Sequence, residues 1–239
     1  MKIELKEEWL RKILPDGFPY PSSTLVSGPG GTGKPLIVLG FVANWLRNGK
    51  KAVGVQLQYA TMDFVREVMS ALYGLDISNY EIKFIQFDPF LEKYEEQADY
   101  LKANLLKPEV WDYIIDKYVD EDTMLFASAL NLLLFSKTYK DKIWDKLDAI
   151  LKSPKGTYIF SVSTNVFRDL IKRWEDSSDN LMFTRMERPG KLFLRIERMK
   201  DVKFSKEEIE IPISPNVLKK IKDVAERART RIIPIVSRI

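Results

Sequence analysis

Two hydrophobic periods run along this chain, and the switches between them mark out a series of strands and helices. Glu8 to Leu14 has helical spacing and stops at Pro15-Asp16-Gly17. A turn-rich stretch through Pro19, Pro21 and Ser22-Ser23 leads into a short strand, Thr24-Leu25-Val26-Ser27. Pro35 to Asn48 is apolar on almost every side, through Leu36, Ile37, Val38, Leu39, Phe41 and Val42, which predicts a buried helix ending at Gly49. Ala52 to Gln58 alternates through Val53, Val55 and Leu57 and reads as a strand. Thr61 to Tyr73 carries Phe64, Val65, Val68, Met69 and Leu72 on one helical side, and Glu81 to Phe87 is a further strand.

In the second half, the spacing predicts a helix over Leu91 to Asp116 with a break at Pro108. Thr123 to Leu134 starts as a strand and turns helical near Asn131. An amphipathic helix over Lys140 to Leu151 precedes an apolar strand, Gly156 to Ser163, and a helix from Asn165 to Glu175. The character then changes. Leu181 to Glu187 and Leu192 to Met199 flank Pro189-Gly190 as a β-hairpin, and Ile209 to Ile213 is another strand. Val217 to Arg229 is a basic helix. Ile232 to Val236 reads as an extended apolar tail, packed at a sheet edge where Pro234 is tolerated or added to a neighbour's edge. The series predicts an α/β fold: a mostly parallel central sheet flanked by helices, with antiparallel strands added at one edge by the C-terminal hairpin. It divides into an N-terminal helix and lead-in (1–23), a core domain (24–215), and a C-terminal basic helix and tail (216–239).

Composition narrows the chemistry. The 239 residues include neither cysteine nor histidine, so disulfides, thiol nucleophiles, imidazole bases and the usual zinc sets are excluded. No apolar run approaches bilayer-spanning length, and the N-terminus Met1-Lys2-Ile3-Glu4-Leu5-Lys6-Glu7-Glu8 lacks the apolar core of a secretory signal, so a cytoplasmic protein without a membrane partner is expected. High Lys and Glu without Cys suits a thermophile. The net charge of +4 is interspersed, which permits nucleic acid without favouring it.

The motif that carries chemistry is Gly28-Pro29-Gly30-Gly31-Thr32-Gly33-Lys34, a P-loop pattern lying between a strand and a buried helix. Glycines let successive N–H groups turn inward as an anion nest, the following helix aims its positive end at the same place, and Lys34 supplies charge for the outer phosphates. The position after the lysine calls for a Ser or Thr hydroxyl on Mg²⁺. Here it is Pro35, which removes that ligand and one N–H of the first helical turn while suiting a helix start.

Together with Gly190-Lys191-Leu192-Phe193-Leu194-Arg195-Ile196-Glu197-Arg198-Met199-Lys200, the loop resembles the archaeal KaiC-like branch of the RecA superfamily, over roughly Glu8 to Ile213. The resemblance implies a RecA-like fold binding ATP or ADP between subunits of a ring, hence a homo-oligomer. It also implies catalytic acids at two places where this chain has none. After the P-loop helix, the glutamate place is Leu57-Gln58-Tyr59, and Gln58 can orient water without accepting its proton. At the end of Met124-Leu125-Phe126, the Walker B acid place is Ala127, followed by Ser128. A competing Walker B candidate is Asp116, closing Trp111-Asp112-Tyr113-Ile114-Ile115-Asp116. Arg198 and Lys200 match, with their types exchanged, the family pair that reaches a neighbour's nucleotide; the alternative is a pair of exposed hairpin charges. With Pro35, Gln58 and Ala127 in place, Mg²⁺ is expected to be held weakly or not at all.

Other clusters have blander readings. Arg168, Lys172, Arg173 and Trp174, after Ser161-Val162-Ser163-Thr164, read as strand binding or as a solvated helix face. Lys219, Lys220, Lys222, Arg227 and Arg229 are offset by Asp223 and Glu226. Asp120-Glu121-Asp122 reads as a charged turn. The expectation is a catalytically impaired nucleotide-binding regulatory or assembly protein. An active Mg²⁺-dependent ATPase with a displaced acid, and a protein- or peptide-binding module with an empty P-loop, stand beside it.

Overall fold

Alternation within the strands decides how the layers form. Leu25, Val53, Leu125 and Phe160 join one apolar cluster, and their chain neighbours Val26, Ala52, Met124 and Ile159 join another on the opposite face of a central sheet. The computed structural model describes residues 1–59, 62–97, 100–187, 190–228 and 232–239, with the backbone alone at 228 and 232. The expected helix start at Thr61, the Pro189 of the hairpin turn and Arg229 lie outside the described residues.

In chain order, β1 (Lys2–Ile3) and β2 (Phe18–Pro19) pair across α1 (Glu8–Ile13). Then follow β3 (Ser23–Gly28), α2 (Lys34–Arg47), β4 (Lys51–Gln56), α3 (Asp63–Tyr73), β5 (Ile82–Phe87), β6 (Tyr94–Glu96), β7 (Tyr100–Ala103) and α4 (Pro108–Tyr118). The second half runs through β8 (Thr123–Ala127), a 3₁₀ turn (Leu130–Phe135), α5 (Lys140–Lys152), β9 (Thr157–Ser163) and α6 (Arg168–Ser177). It ends with β10 (Asn180–Glu187), β11 (Lys191–Arg198), β12 (Ile209–Glu210), α7 (Pro215–Ala228) and α8 (Ile232–Val236).

The main sheet has the order β12-β11-β10-β3-β9-β8-β4-β5-β7-β6. Strands β10, β3, β9, β8, β4, β5 and β7 run parallel. Antiparallel β11 and β12 extend one edge, as the hairpin predicts, and antiparallel β6 extends the other. Because β3 and β9 are both central and parallel, their carboxyl ends and the loops after them share one edge of the sheet, where α/β folds place ligands. Helix α2 is buried almost all round, as its composition requires. Gly40 is needed there because Tyr73 crosses it: a Cβ would lie 2.7 Å from the phenol oxygen, which donates to Leu36 O at 2.7 Å.

Two expectations are corrected. Leu91 to Gln97 and Tyr100 to Lys107 are not helical and contain the β6–β7 pair. Leu101 and Ala103 alternate with less buried neighbours and pack beside β5, so a two-residue period prevails there. Pro108 starts α4 rather than breaking a helix, since the first helical residue has no N–H bond to lose. The C-terminal tail is not an extended edge strand. Ile232–Val236 is a short helix whose first turn accommodates Pro234, and it packs on the 3₁₀ turn with Val236 fully buried. The Thr138 N–H donates to Ile239 O at 3.2 Å and holds the chain end there.

Candidate functional site

Sharp backbone turns at glycine build the loop after β3. Gly31 (φ 80°) and Gly33 (φ 75°) take the left-handed conformation that side chains disfavour. A Cβ at Gly33 would also meet Leu192 Cδ1 of β11 at 2.6 Å, the end of a side chain that would have to shift. The N–H groups of Gly31, Thr32 and Gly33 meet no acceptor among the described residues, and that of Gly30 donates to Asn165 Oδ1 at 3.2 Å. Thr32 Oγ1 lies 2.6 Å from Thr184 Oγ1 and donates to Pro29 O at 2.8 Å, fastening the loop to β10. Ser27, one residue before the loop, donates to the buried Glu175 at 2.6 Å and fastens β3 to α6.

Lys34 begins α2 and is only 6% exposed. Its ammonium donates to Gly28 O at 2.8 Å, to Pro29 O at 2.5 Å and to Thr32 Oγ1 at 3.3 Å. Burial without a carboxylate partner lowers its pKa to about 8. Pro35 follows as the second helical residue.

A cavity of about 800 Å³ opens over this loop. Its floor is Gly30 to Pro35. One wall carries Gln58, Tyr59 and Phe64, with the last two rings stacked at 4.0 Å. The other wall carries Asn131, Ser161 and Ser163 at the ends of β8 and β9. There Ser163 N–H donates to Asn131 Oδ1 at 2.8 Å, and Ala129 N–H donates to Ser161 Oγ at 3.2 Å. Ala129 takes φ 61°, a strained conformation for a residue with a Cβ, at the rim of the cavity. The ceiling comes from α7 and α8, through Leu218, Ile221, Lys222, Ala225 and Glu226 on the first and Ile233 and Pro234 on the second.

The structure brings together Gly30, Gly31, Thr32, Gly33, Lys34, Pro35 and Gln58 around the cavity; Gly28 and Pro29 supply the carbonyls that hold Lys34. Strand β4 ends at Gln56, so Gln58 lies two residues beyond it. Both glutamines also line an adjacent space of about 30 Å³ beside Ser128, room for about one water molecule. Ala127 ends β8 and is fully buried. Asp116 lies elsewhere, near the C-terminus of α4, 69% exposed and 3.7 Å from Lys155. That is the amino end of the strands, opposite the loop, because β9 starts just after Lys155.

Arg198 and Lys200 also lie at that amino end, since Arg198 pairs with Leu181 beside Leu25. Arg198 is not an exposed hairpin charge: Nη2 donates to Glu175 O at 2.6 Å and Ser178 O at 2.7 Å, closing the C-terminus of α6. Lys200 lies 3.4 Å from Asp179. In the basic cluster, Trp174 is fully buried, Arg173 lies 4.1 Å over the Trp144 ring and Lys172 pairs with Asp176 at 2.5 Å. The acidic turn is tied down by Lys50 on Asp122 at 2.5 Å and by Thr123 Oγ1 donating to Asp120 at 2.6 Å.

The loop fits phosphate, with free amides, a helix N-terminus and an ammonium converging on one place. At the two places that the family resemblance implies for Mg²⁺ ligands, the residues do not fit the ion. That ion takes oxygen ligands, whereas Pro35 presents ring carbons and Ala127 a buried methyl. Among the described residues no three His, Cys, Asp or Glu side chains gather as a metal site. Nor is any described helix long and apolar enough to cross a membrane. Sequence reasoning missed Asn131, Ser163, Thr184, Lys222 and Glu226, which reach the site only through tertiary contacts.

A family model described as "ATPase: KaiC" matches residues 8–226. The chain therefore belongs to the KaiC ATPase family, with the RecA-like fold that its sheet displays. No curated protein matches the sequence. Among solved structures it is similar to a KaiC-like protein of Pyrococcus horikoshii OT3: 18% identity, TM-score 0.65, covering 90% of this chain and 96% of that one. It is also similar to the flagellar accessory protein FlaH of Methanocaldococcus jannaschii: 18% identity, TM-score 0.66, covering 90% of this chain and 95% of that one.

Proposed function

We propose that this KaiC-family chain binds a nucleotide by its phosphates and has lost the apparatus to hydrolyse it, acting as a nucleotide-responsive regulatory or assembly protein. The observation that carries this reading is a division within one site. The glycine-built loop from Gly28 to Lys34 is intact, while Pro35 and Gln58 line the same cavity and the buried Ala127 ends β8, at the places where the family resemblance implies metal and water handling. A missing general base or electrostatic group each costs about 10²–10⁴-fold in rate. The three together leave a binding site with little turnover.

Calorimetric titration of ATP and ADP with and without Mg²⁺ tests the reading, beside phosphate release from the wild type and Lys34→Ala. Micromolar binding nearly indifferent to Mg²⁺, without release above background, is the expected result. Robust release abolished by Lys34→Ala would sink it. No heat and an unchanged melting temperature would leave the loop as scaffold for a protein or peptide partner.

One observation favours a second reading, hydrolysis with a displaced acid. Asp116 is remote, but Glu226 of α7 is the carboxylate among the described residues lining the cavity. Mg²⁺-dependent phosphate release lost in Glu226→Gln would put that reading first. Assembly into a ring, with Arg198 and Lys200 facing a neighbour's site, rests on the family likeness. Scattering-based mass determination with and without ATP tests it.

A further inference from the structure

The last helices of the chain join the two faces of the sheet across the mouth of the P-loop cavity. Helix α7 packs on α3 through Ile221 and Val224, which belong to the apolar cluster on the α2 face. Its Lys220 pairs with Glu67 of α3 at 2.6 Å. Helix α8 packs on the 3₁₀ turn, and its Val236 belongs to the cluster on the opposite face. Both helices line the cavity at the carboxyl edge of the sheet, where the loop lies. On α7, Leu218, Ile221, Lys222, Ala225 and Glu226 recur at helical spacing and form one stripe toward the cavity.

That stripe supplies charge where the floor lacks it. A nucleoside di- or triphosphate carries several negative charges, and the floor offers one ammonium, Lys34. Neither Pro35 nor Ala127 can hold the divalent cation that would offset the remainder. Lys222 is exposed toward the cavity and makes no ion pair with a described residue, whereas Lys220 on the same helix is paired. Facing phosphate in a space walled by Leu218, Ile221 and Leu132, its attraction is screened less than on an open surface. Glu226, one turn further, faces the same cavity and opposes an anion.

We propose that α7 is part of the ligand site, that Lys222 is its second phosphate-binding cation, and that the ligand is a metal-free polyphosphate. This rests on the nucleotide-binding reading above and deepens it. The assignment makes two predictions of opposite sign on one helix. In EDTA, Lys222→Ala should weaken ADP, ATP and inorganic tripolyphosphate about tenfold, with a reduced salt dependence, and Lys222→Arg should retain affinity within about threefold. Glu226→Gln should tighten the same probes several-fold. Lys219→Ala, an exposed lysine of α7 outside the cavity lining, serves as the control and should change nothing. Melting curves confirm the fold, since Lys222 and Glu226 are both exposed. A Lys222→Ala response equal to that of Lys219→Ala, with wild-type binding intact, overturns the assignment alone. Weaker binding in Glu226→Gln that appears only with Mg²⁺ also overturns it, by showing that the acid holds a metal. Failure of the wild type to bind any of the three probes removes the nucleotide reading itself.

Discussion

The Lys34 ammonium donates to Gly28 O at 2.8 Å, turning the lysine back across the loop that should cradle phosphate. Among the described residues its hydrogen-bond partners are two carbonyls and a hydroxyl, and burial lowers its pKa to about 8. A polyphosphate favours the charged form and raises that pKa again. Binding should therefore be flat with pH below about 8 and weaken as pH rises above it. Calorimetry at pH 8.5 in buffers of different ionisation enthalpy should report uptake of roughly half a proton or more. Without ligand, the unfolded chain binds more protons between about pH 8 and the ordinary lysine range, so stability should rise with pH across that window. A lack of proton uptake would place the ligand away from Lys34.

Restoring the oxygens expected of a metal site tests whether their replacement weakens Mg²⁺ binding. Pro35→Thr returns the hydroxyl, and Ala127→Asp returns the acid at the end of β8. In the double variant, the ratio of ATP affinities with and without Mg²⁺ should rise from near unity to about tenfold or more. The acid enters a fully buried position and should lower stability by about 1–3 kcal/mol, read by urea denaturation. An unchanged ratio in a folded double variant would mean the metal was never excluded at these positions.

Gly28→Ala probes the close approach of β3 and β10. The new Cβ would meet the Thr184 carbonyl oxygen at 2.5 Å, and a backbone atom cannot rotate aside. The expected loss is about 2–3 kcal/mol of unfolding free energy, measured by chemical denaturation. Gly31→Ala has open space around the added carbon and should cost less, limited to the strain of its φ of 80°. Equal losses would contradict the β3–β10 contact.

Val236→Ala measures how firmly α8 closes the cavity. Val236 is fully buried against the second apolar cluster, and truncation should cost about 1–2 kcal/mol. Hydrogen exchange should quicken in α8 and the 3₁₀ turn more than in β3 or β9. Uniform quickening would mean that α8 opens only with the whole protein.

Much of this was legible in the sequence because it is local. Two-residue alternation through Val53 and Val55 and the all-round apolar run from Leu36 to Leu46 can be realised in few ways. The phosphate loop declares itself because only glycine adopts the turns at 31 and 33 readily, and a helix must follow for Lys34 to converge on them. Pro35 and Ala127, at places where the family resemblance implies a hydroxyl and an acid, are visible as residue types, as is the lack of any His or Cys. Periodicity misled at Leu91 to Lys107, where a short edge pair buries Leu101 and Ala103 against β5, and at Ile232 to Val236, where apolar composition fits helix and strand alike.

Tertiary structure alone decided the remainder. Asp116 and Ala127 both end apolar runs, and only the order β3-β9-β8-β4 puts one opposite the loop and the other beside it. Arg198 reads in the sequence either as half of a pair reaching a neighbour's nucleotide or as an exposed hairpin charge, and only the fold shows it donating to Glu175 O and Ser178 O at the end of α6. Lys222 and Glu226 sit among evenly spaced charges that read as a solvated face. They become part of a site because Ile221 and Val236 bury themselves on opposite faces of the sheet and draw α7 and α8 across its carboxyl edge. The loop's own geometry is set by residues next to each other in the chain, whereas its ceiling is set by where distant apolar side chains find room, and only the folded core determines that.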